Sequence, residues 1–387
     1  MLKLGGKVIE IRSALGSESS LFSISTNKNL PNILKATKAY LVVDTNIPEG
    51  FKHYIILDTL LNCISLLPKN AEYTVLASDY SYIDNDDVIR VSKEKSAIRV
   101  MYRANSPNNG ILITEQCNHY CLMCSQPPKA IDDSWLLDEI NSLIPMIPKY
   151  TRELCFTGGE PTLFKERFLD VLRLTKSYLP DTSIHILSNG RAFISESFTK
   201  SYASINHPDM MVGIPLYSDD AGQHDYIVQA KGAFDETILG ILNLKKLNQK
   251  VEIRVVLHKQ SIGRLRQLCE FIGRNLLFVD HVALMGLEMT GFTRANLDKL
   301  WIDPYEYKDI LSESVHTLVQ YGMNVSIYNH QLCLINDDVL PYYKKSISDW
   351  KNEFVDDCNG CKRLSECGGL FSSGVQNGYS KNLTPFS

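Results

Sequence analysis

Ile111-Leu-Ile-Thr114-Glu-Gln-Cys117-Asn-His-Tyr-Cys121-Leu-Met-Cys124 decides how the rest of the chain is read. Its first four residues are a short apolar run rich in β-branched side chains, which predicts a strand. The strand gives way to a loop carrying the pattern Cys117-x3-Cys121-x2-Cys124. Three thiolates on one loop can hold three irons of a cubane [4Fe–4S] cluster and leave the fourth iron open to a ligand. Zinc bound by the same thiolates and His119 is the alternative. A zinc knuckle, however, pairs two short ligand sets, whereas this triad occupies a single loop after a strand.

Working outward, apolar runs recur at 154–157, 184–188, 211–216, 251–257 and 281–286, with starts 27 to 43 residues apart counted from the run at 111. Each interval has room for one helix and its loops. Asp133-Ser134 is placed to cap a helix running to Ile144, ahead of Pro145, and 235–247 carries apolar residues at helical spacing. Six such units predict six parallel strands, fewer than the eight of a closed barrel. Beyond Leu300 follow an amphipathic helix over 304–321, a short strand at 325–328 and a loop-rich tail. Before Gly110 the texture is β-rich, as in Lys7-Val-Ile-Glu-Ile11, Ala39-Tyr-Leu-Val-Val43, Tyr73-Thr-Val-Leu76 and Ala97-Ile-Arg-Val100. The loop chemistry of 103–110 makes a boundary, so the reading divides the chain into 1–105, 106–300 and 301–387.

The 387 residues suffice for two or three domains, and 44% hydrophobic with 22% charged residues is an ordinary globular balance. A formal charge of −4 supplies no basic field for nucleic acid. No run of about 18 apolar residues is present, so no membrane span is expected, and the N-terminal stretch lacks the apolar core of a secretory signal. Of ten cysteines, Cys63, Cys155 and Cys269 sit alone in apolar surroundings and read as core residues. The other seven cluster, as Cys117, Cys121 and Cys124, then Cys333, Cys358, Cys361 and Cys367. Tight clusters in a large chain without a signal point to metal binding in a reducing cytoplasm rather than to disulfides.

Two further segments end predicted strands on the rim that carries the cysteine loop. They are Thr157-Gly158-Gly159-Glu160-Pro161 and Ser188-Asn189-Gly190. Glycines let the backbone approach a ligand, and Glu160 can accept hydrogen bonds from an ammonium group. Either segment alone is a turn. Together and in this order they resemble the radical S-adenosylmethionine (radical SAM) superfamily over about residues 108–300. The resemblance implies an α/β fold, a partial (β/α)6 TIM-like barrel, with a β-rich N-terminal domain and a cysteine-rich C-terminal extension. It implies that Cys117, Cys121 and Cys124 ligate a [4Fe–4S] cluster and that Gly158, Gly159 and Glu160 bind the methionyl amino group. Ser188 and Asn189 would lie near the ribose and carboxylate. Met123 stands where the family usually carries an aromatic residue.

The stretch 213–235 resembles the fourth-strand region of peptide-modifying members, with His224-Asp225 and Lys231-Gly232-Ala233-Phe234; Tyr217 replaces their usual acidic residue. His224 reads equally well as a loop-stabilising residue. Arg254 alternates with apolar neighbours, so it points either into the barrel, toward the SAM carboxylate, or out to solvent. The segment from Met289 to Asn296 resembles the one bordering the adenine. In the tail, Cys333 and Cys358-x2-Cys361-x5-Cys367 resemble an auxiliary-cluster extension, implying one auxiliary [4Fe–4S] cluster with no open iron. A structural zinc site remains the alternative there. The whole pattern looks closest to the HxsC maturases of His-Xaa-Ser systems. That implies a ribosomal precursor peptide with His-Xaa-Ser repeats, a second radical SAM maturase as partner, and an electron donor such as flavodoxin or ferredoxin. A small-molecule or RNA substrate, or a catalytically silent zinc-stabilised interaction protein, are the competing readings.

Overall fold

The computed structural model describes residues 2–12, 19–345 and 352–387. Up to Tyr102 the chain forms one eight-stranded sheet. Its strands are β1 (Gly5–Lys7), β2 (Glu10–Arg12), β3 (Ser19–Ser25), β4 (Lys38–Leu41), β5 (His53–Leu57), β6 (Tyr73–Leu76), β7 (Val88–Ser92) and β8 (Ala97–Tyr102). The order is β1-β8-β7-β3-β4-β5-β6-β2, with β3 to β6 mutually parallel. The run at 7–11, expected as one strand, breaks at Val8-Ile9 into β1 and β2, which pair at opposite edges of the sheet. Lys7 and Glu10 can be only about 10 Å apart, so the sheet curls until its edges nearly meet. Val8 N–H reaches Ser96 O on one side and Ile9 N–H reaches Val75 O on the other, both at 2.9 Å. Phe22, Ile24, Leu41, Ile55, Ile89 and Val100 fill the inside.

The second sheet has seven strands, all parallel and in chain order. They are β9 (Asn109–Thr114), β10 (Glu153–Gly158), β11 (Ser183–Leu187), β12 (Met210–Pro215), β13 (Lys250–Leu257), β14 (His281–Gly286) and β15 (Val325–Tyr328). Parallel neighbours need long crossovers, and helices such as Trp135–Leu143, Glu166–Tyr178, Ala233–Lys246 and Leu265–Asn275 supply them. The strand at 325–328 joins the six because the helix Pro304–Gln320 carries the chain back alongside β14. Alternation then sorts the side chains. Leu154, Phe156, Ile184, Ile186, Val212, Ile214, Ile253 and Val255 pack under the helices. The residues between them face the concave side. Cys63 and Cys269 are core residues, but Cys155 is only partly buried, because Leu154 and Phe156 take the helix-facing positions on its strand. The tail adds a two-stranded ladder, Asn352–Glu353 with Leu370–Phe371, and the short helix Ser372–Asn377. Among the described residues no helix is long and apolar enough to cross a membrane.

Four histidines, His53, His224, His258 and His330, are wholly buried. Burial pulls His53, His224 and His330 down to about 4 and His258 to about 3. The unfolded chain, with imidazoles near about 6.5, binds protons that the native state refuses. Stability is therefore full above that value and falls as pH drops toward 4. Well inside the window each group contributes about 1.4 kcal/mol per pH unit, about 5 kcal/mol for the set, which rivals the whole stability of a domain. Circular dichroism against pH should show cooperative unfolding between about pH 6 and pH 4. A fold intact at pH 4 would mean that these imidazoles accept protons without opening the core.

Candidate functional site

The ends of β9, β10 and β11 meet on one rim, and hydrogen bonds join their loops into one assembly. Asp133, 1% exposed, holds the base of the cysteine loop. Its carboxylate accepts from Thr114 Oγ1 at 2.9 Å, Glu115 N–H at 2.5 Å and Gln116 Nε2 at 3.0 Å. The sequence reading placed Asp133-Ser134 as a helix cap; the Asp133 backbone carbonyl does accept from Leu136 N–H, but its side chain turns to the loop. On a second side Tyr120 N–H donates to Val228 O at 3.1 Å and Leu122 N–H to Ile227 O at 2.9 Å. On a third, Phe292 N–H binds Cys124 O at 2.8 Å, Thr293 Oγ1 binds Met123 O at 3.0 Å and Asn296 Nδ2 binds Leu122 O at 3.0 Å. The segment 289–296 thus grips the backbone of the loop, and Gly291 at φ 55° is needed because a Cβ there would lie 2.3 Å from Cys124 O.

Gly158 and Gly159 admit the same loop. A Cβ on Gly159 would stand 2.0 Å from Gln116 O and 3.1 Å from Cys117 Cβ. Gly159 N–H donates to Thr114 O and Glu160 N–H to Gln116 O, both at 2.8 Å. Gly159→Ala is expected to push the loop away, costing more than about 2 kcal/mol and lowering the iron that the protein retains. Gly110→Ala is the control, since its Cβ would meet nothing closer than 3.9 Å. Thermal melting and iron analysis of the two variants check this; equal iron in both would show that the loop yields freely.

Glu160 is 1% exposed. It accepts from Thr162 N–H at 3.0 Å, Thr162 Oγ1 at 2.5 Å, Ser188 Oγ at 2.8 Å and Asn189 N–H at 2.6 Å. Burial raises its carboxyl in spite of these bonds. Asn189 in turn donates from Nδ2 to Asn118 Oδ1 at 2.6 Å, closing the circuit back to the cysteine loop.

Cys117, Cys121 and Cys124 are free and partly buried. Burial pushes Cys117 up to about 12 and Cys121 higher, and the neighbouring thiols add to both. A metal must therefore displace protons to bind. Cys117 Sγ accepts from His119 N–H at 3.4 Å, and the His119 ring is buried with its Nε2 unpartnered. The three sulfurs of this loop would suit a cubane with one open iron. Among the described residues, no three of His, Cys, Asp and Glu enclose a single ion.

His224 Nδ1 accepts from Tyr217 N–H at 3.3 Å, and the two rings stack 5.9 Å apart. The Asp225 carboxylate accepts from Gly232 and Phe234 N–H, fixing the turn before the helix Ala233–Lys246. Arg254 faces the concave side, with Nη1 on Glu252 Oε1 at 2.6 Å. In the tail, Cys333, Cys358, Cys361 and Cys367 line one cavity, shared with Leu332, Phe354, Leu383 and Phe386. Cys367 Sγ accepts from Leu332 and Gly369 N–H, each at 3.3 Å. Sequence reasoning missed Asp133 as a loop anchor and Asn118, and it singled out the segment 289–296 without foreseeing that Thr293 and Asn296 hold the loop backbone. Asn118, a polar side chain inside the cysteine loop, was an available signal, whereas Thr293 and Asn296 reach the loop from 170 and 174 residues away.

Residues 111–272 match the family described as the radical SAM superfamily. A curated relative, the probable GTP 3′,8-cyclase of Methanocella arvoryzae, is 22% identical over 195 residues, 46% of this chain and 61% of its own length. The chain therefore spans less than two thirds of that relative. Among solved structures, Streptococcus suis SuiB bound to S-adenosylmethionine aligns at 17% identity and a TM-score of 0.47, over 57% of this chain and 50% of SuiB. Native anSMEcpe with bound AdoMet and Cp18Cys peptide aligns at 16% identity and a TM-score of 0.49, over 71% and 91% of the two chains.

Proposed function

We propose, from the premise that residues 111–272 are a radical SAM superfamily domain, that this chain is a cytoplasmic maturase of a ribosomally made precursor peptide. In this reading Cys117, Cys121 and Cys124 bind a [4Fe–4S] cluster. When bound and reduced, the cluster supplies the electron that cleaves SAM to methionine and a 5′-deoxyadenosyl radical. The chain's own residues orient and shield. Gly158, Gly159 and Glu160 receive the methionyl amino group, and Ser188 and Asn189 lie toward the ribose and carboxylate. The observation that carries the SAM assignment is the Glu160 carboxylate, buried yet ringed only by neutral donors. Such a group gains most from a cation brought to it.

The peptide class draws support from the tail, where four thiols line one cavity and suit an auxiliary [4Fe–4S] cluster on Cys333, Cys358, Cys361 and Cys367. The sequence pattern favours a substrate with His-Xaa-Ser repeats, a second radical SAM maturase as partner, and flavodoxin or ferredoxin as electron donor. The likeness to a GTP cyclase favours a small-molecule substrate instead. A triphosphate, however, needs free cations, and the concave face offers Arg254 already neutralised by Glu252. Mass spectrometry of a repeat peptide co-expressed with the protein tests this. A mass change that disappears with Cys117→Ala is expected. An unaltered peptide beside turnover of GTP would favour the cyclase-like reading.

A further inference from the structure

The interior of a TIM-type barrel is ordinarily filled with branched apolar side chains. On the concave face here, Glu153, His185, Glu252, Arg254, His281 and Tyr328 form a polar layer instead. Glu252 is its centre, with a side chain only 6% exposed. It accepts from Arg254 Nη1 at 2.6 Å and pairs with His281 Nδ1 at 2.7 Å, while His281 Nε2 rests 3.0 Å from Ser326 Oγ. Burial alone would raise the Glu252 carboxyl, yet the His281 hydrogen bond and the Arg254 charge hold it at about 2.

Both oxygens of Glu252 are therefore occupied, while nitrogens beside it keep hydrogen-bonding capacity to spare. Arg254 Nη2 reaches only the thioether sulfur of Met285 at 3.1 Å, a weak acceptor. His185 Nε2 is buried without a hydrogen-bond partner, 3.5 Å from Glu252 Oε1. The two side chains flank one point. A Cβ on Gly213 would lie 2.8 Å from His185 Nε2 and 2.9 Å from Arg254 Cδ, so glycine is what leaves them room.

We propose that Arg254 and His185 form a subsite in the barrel interior that binds a neutral carbonyl oxygen, the amide of a peptide substrate. Charge decides against a carboxylate. Glu252 already neutralises Arg254, and Glu153 stands within electrostatic reach of Glu252. A bound carboxylate would bring a second negative charge into a desolvated interior, whereas an amide brings none. Arg254 lies within electrostatic reach of Tyr217, as do Cys121 and Cys124. That the amide belongs to a peptide rests on the proposed function; the preference for a neutral acceptor does not.

The test uses the cluster-loaded protein and N-methylacetamide as the probe, read by ligand-observed saturation-transfer NMR. Glu252→Gln with Arg254→Gln removes the guanidinium while keeping the interior neutral, and is expected to lower the transfer at least fivefold. His185→Asn, which removes Nε2 alone, should lower it at least twofold and serves if the double variant fails to fold. Acetate should give no transfer that depends on Arg254. Equal transfer in wild type and folded variants, or acetate depending on Arg254 as strongly as the amide, would overturn the subsite. So would a loss of SAM affinity as large as the loss of amide binding, which would return Arg254 to the SAM carboxylate. A labelled acetyl-(His-Ala-Ser)3-amide should bind at least tenfold more weakly to the double variant. If that peptide fails to bind wild type while the N-methylacetamide result holds, the repeat-peptide reading falls and the subsite stands.

Discussion

Anaerobically reconstituted protein is expected to carry about eight irons per chain, and the Cys117→Ala, Cys121→Ala, Cys124→Ala variant about half of that, with no SAM cleavage. The reasoning is local. The loop is held through its backbone, by Asp133 at its base, by the end of the helix Ala221–Val228, and by Phe292, Thr293 and Asn296. None of these contacts uses a thiol of the triad, so the triple variant should keep its fold while losing its ligands. Iron analysis with quantification of 5′-deoxyadenosine checks this. Retained SAM cleavage in the triple variant would remove the loop from the chemistry altogether.

The tail gives the second large effect. Cys361→Ala with Cys367→Ala should still form 5′-deoxyadenosine in uncoupled reactions but yield no modified peptide. Four thiolates would fill every iron of a cubane, leaving none for SAM, so a cluster held there would act beyond SAM cleavage. Cys367 is also a structural hub. Its sulfur takes two backbone N–H groups, and Gly368 N–H donates to Tyr343 Oη at 2.6 Å. Loss of a metal staple can unfold a loop-rich region, so iron content and melting must accompany the assay. A folded variant that modifies its peptide at the wild-type rate would show the tail site to be dispensable for the reaction.

What could be read from residues alone follows how local each feature is. Apolar runs bounded by turn residues marked β9 to β14 within a few residues, because a strand packed under helices must be apolar on that face. The run at 325–328 was also visible, but its pairing with β14 depends on the helix before it. The break at Val8-Ile9 was invisible, since only the distant partners Ser96 and Val75 draw the chain on its two sides to opposite edges of the sheet. The site was legible as motifs because each occupies one strand end. Its joinery was not. Glu160 meeting Ser188 and Asn189, and Asn189 reaching Asn118, are contacts between loops far apart in sequence. The polar layer around Glu252 shows both sides of this. Val251-Glu-Ile-Arg254 displays the alternation openly, but His185 and His281 come from other strands, and only their register with Glu252 reveals a cluster.

Electron paramagnetic resonance of the reduced protein, recorded with and without SAM, bears most directly on whether Cys117, Cys121 and Cys124 hold a cluster with one open iron. SAM is expected to change the spectrum of wild-type protein, and to leave unchanged the residual signal of the Cys117→Ala, Cys121→Ala, Cys124→Ala variant. An iron-replete, fully reduced wild-type protein whose spectrum ignores SAM would contradict it.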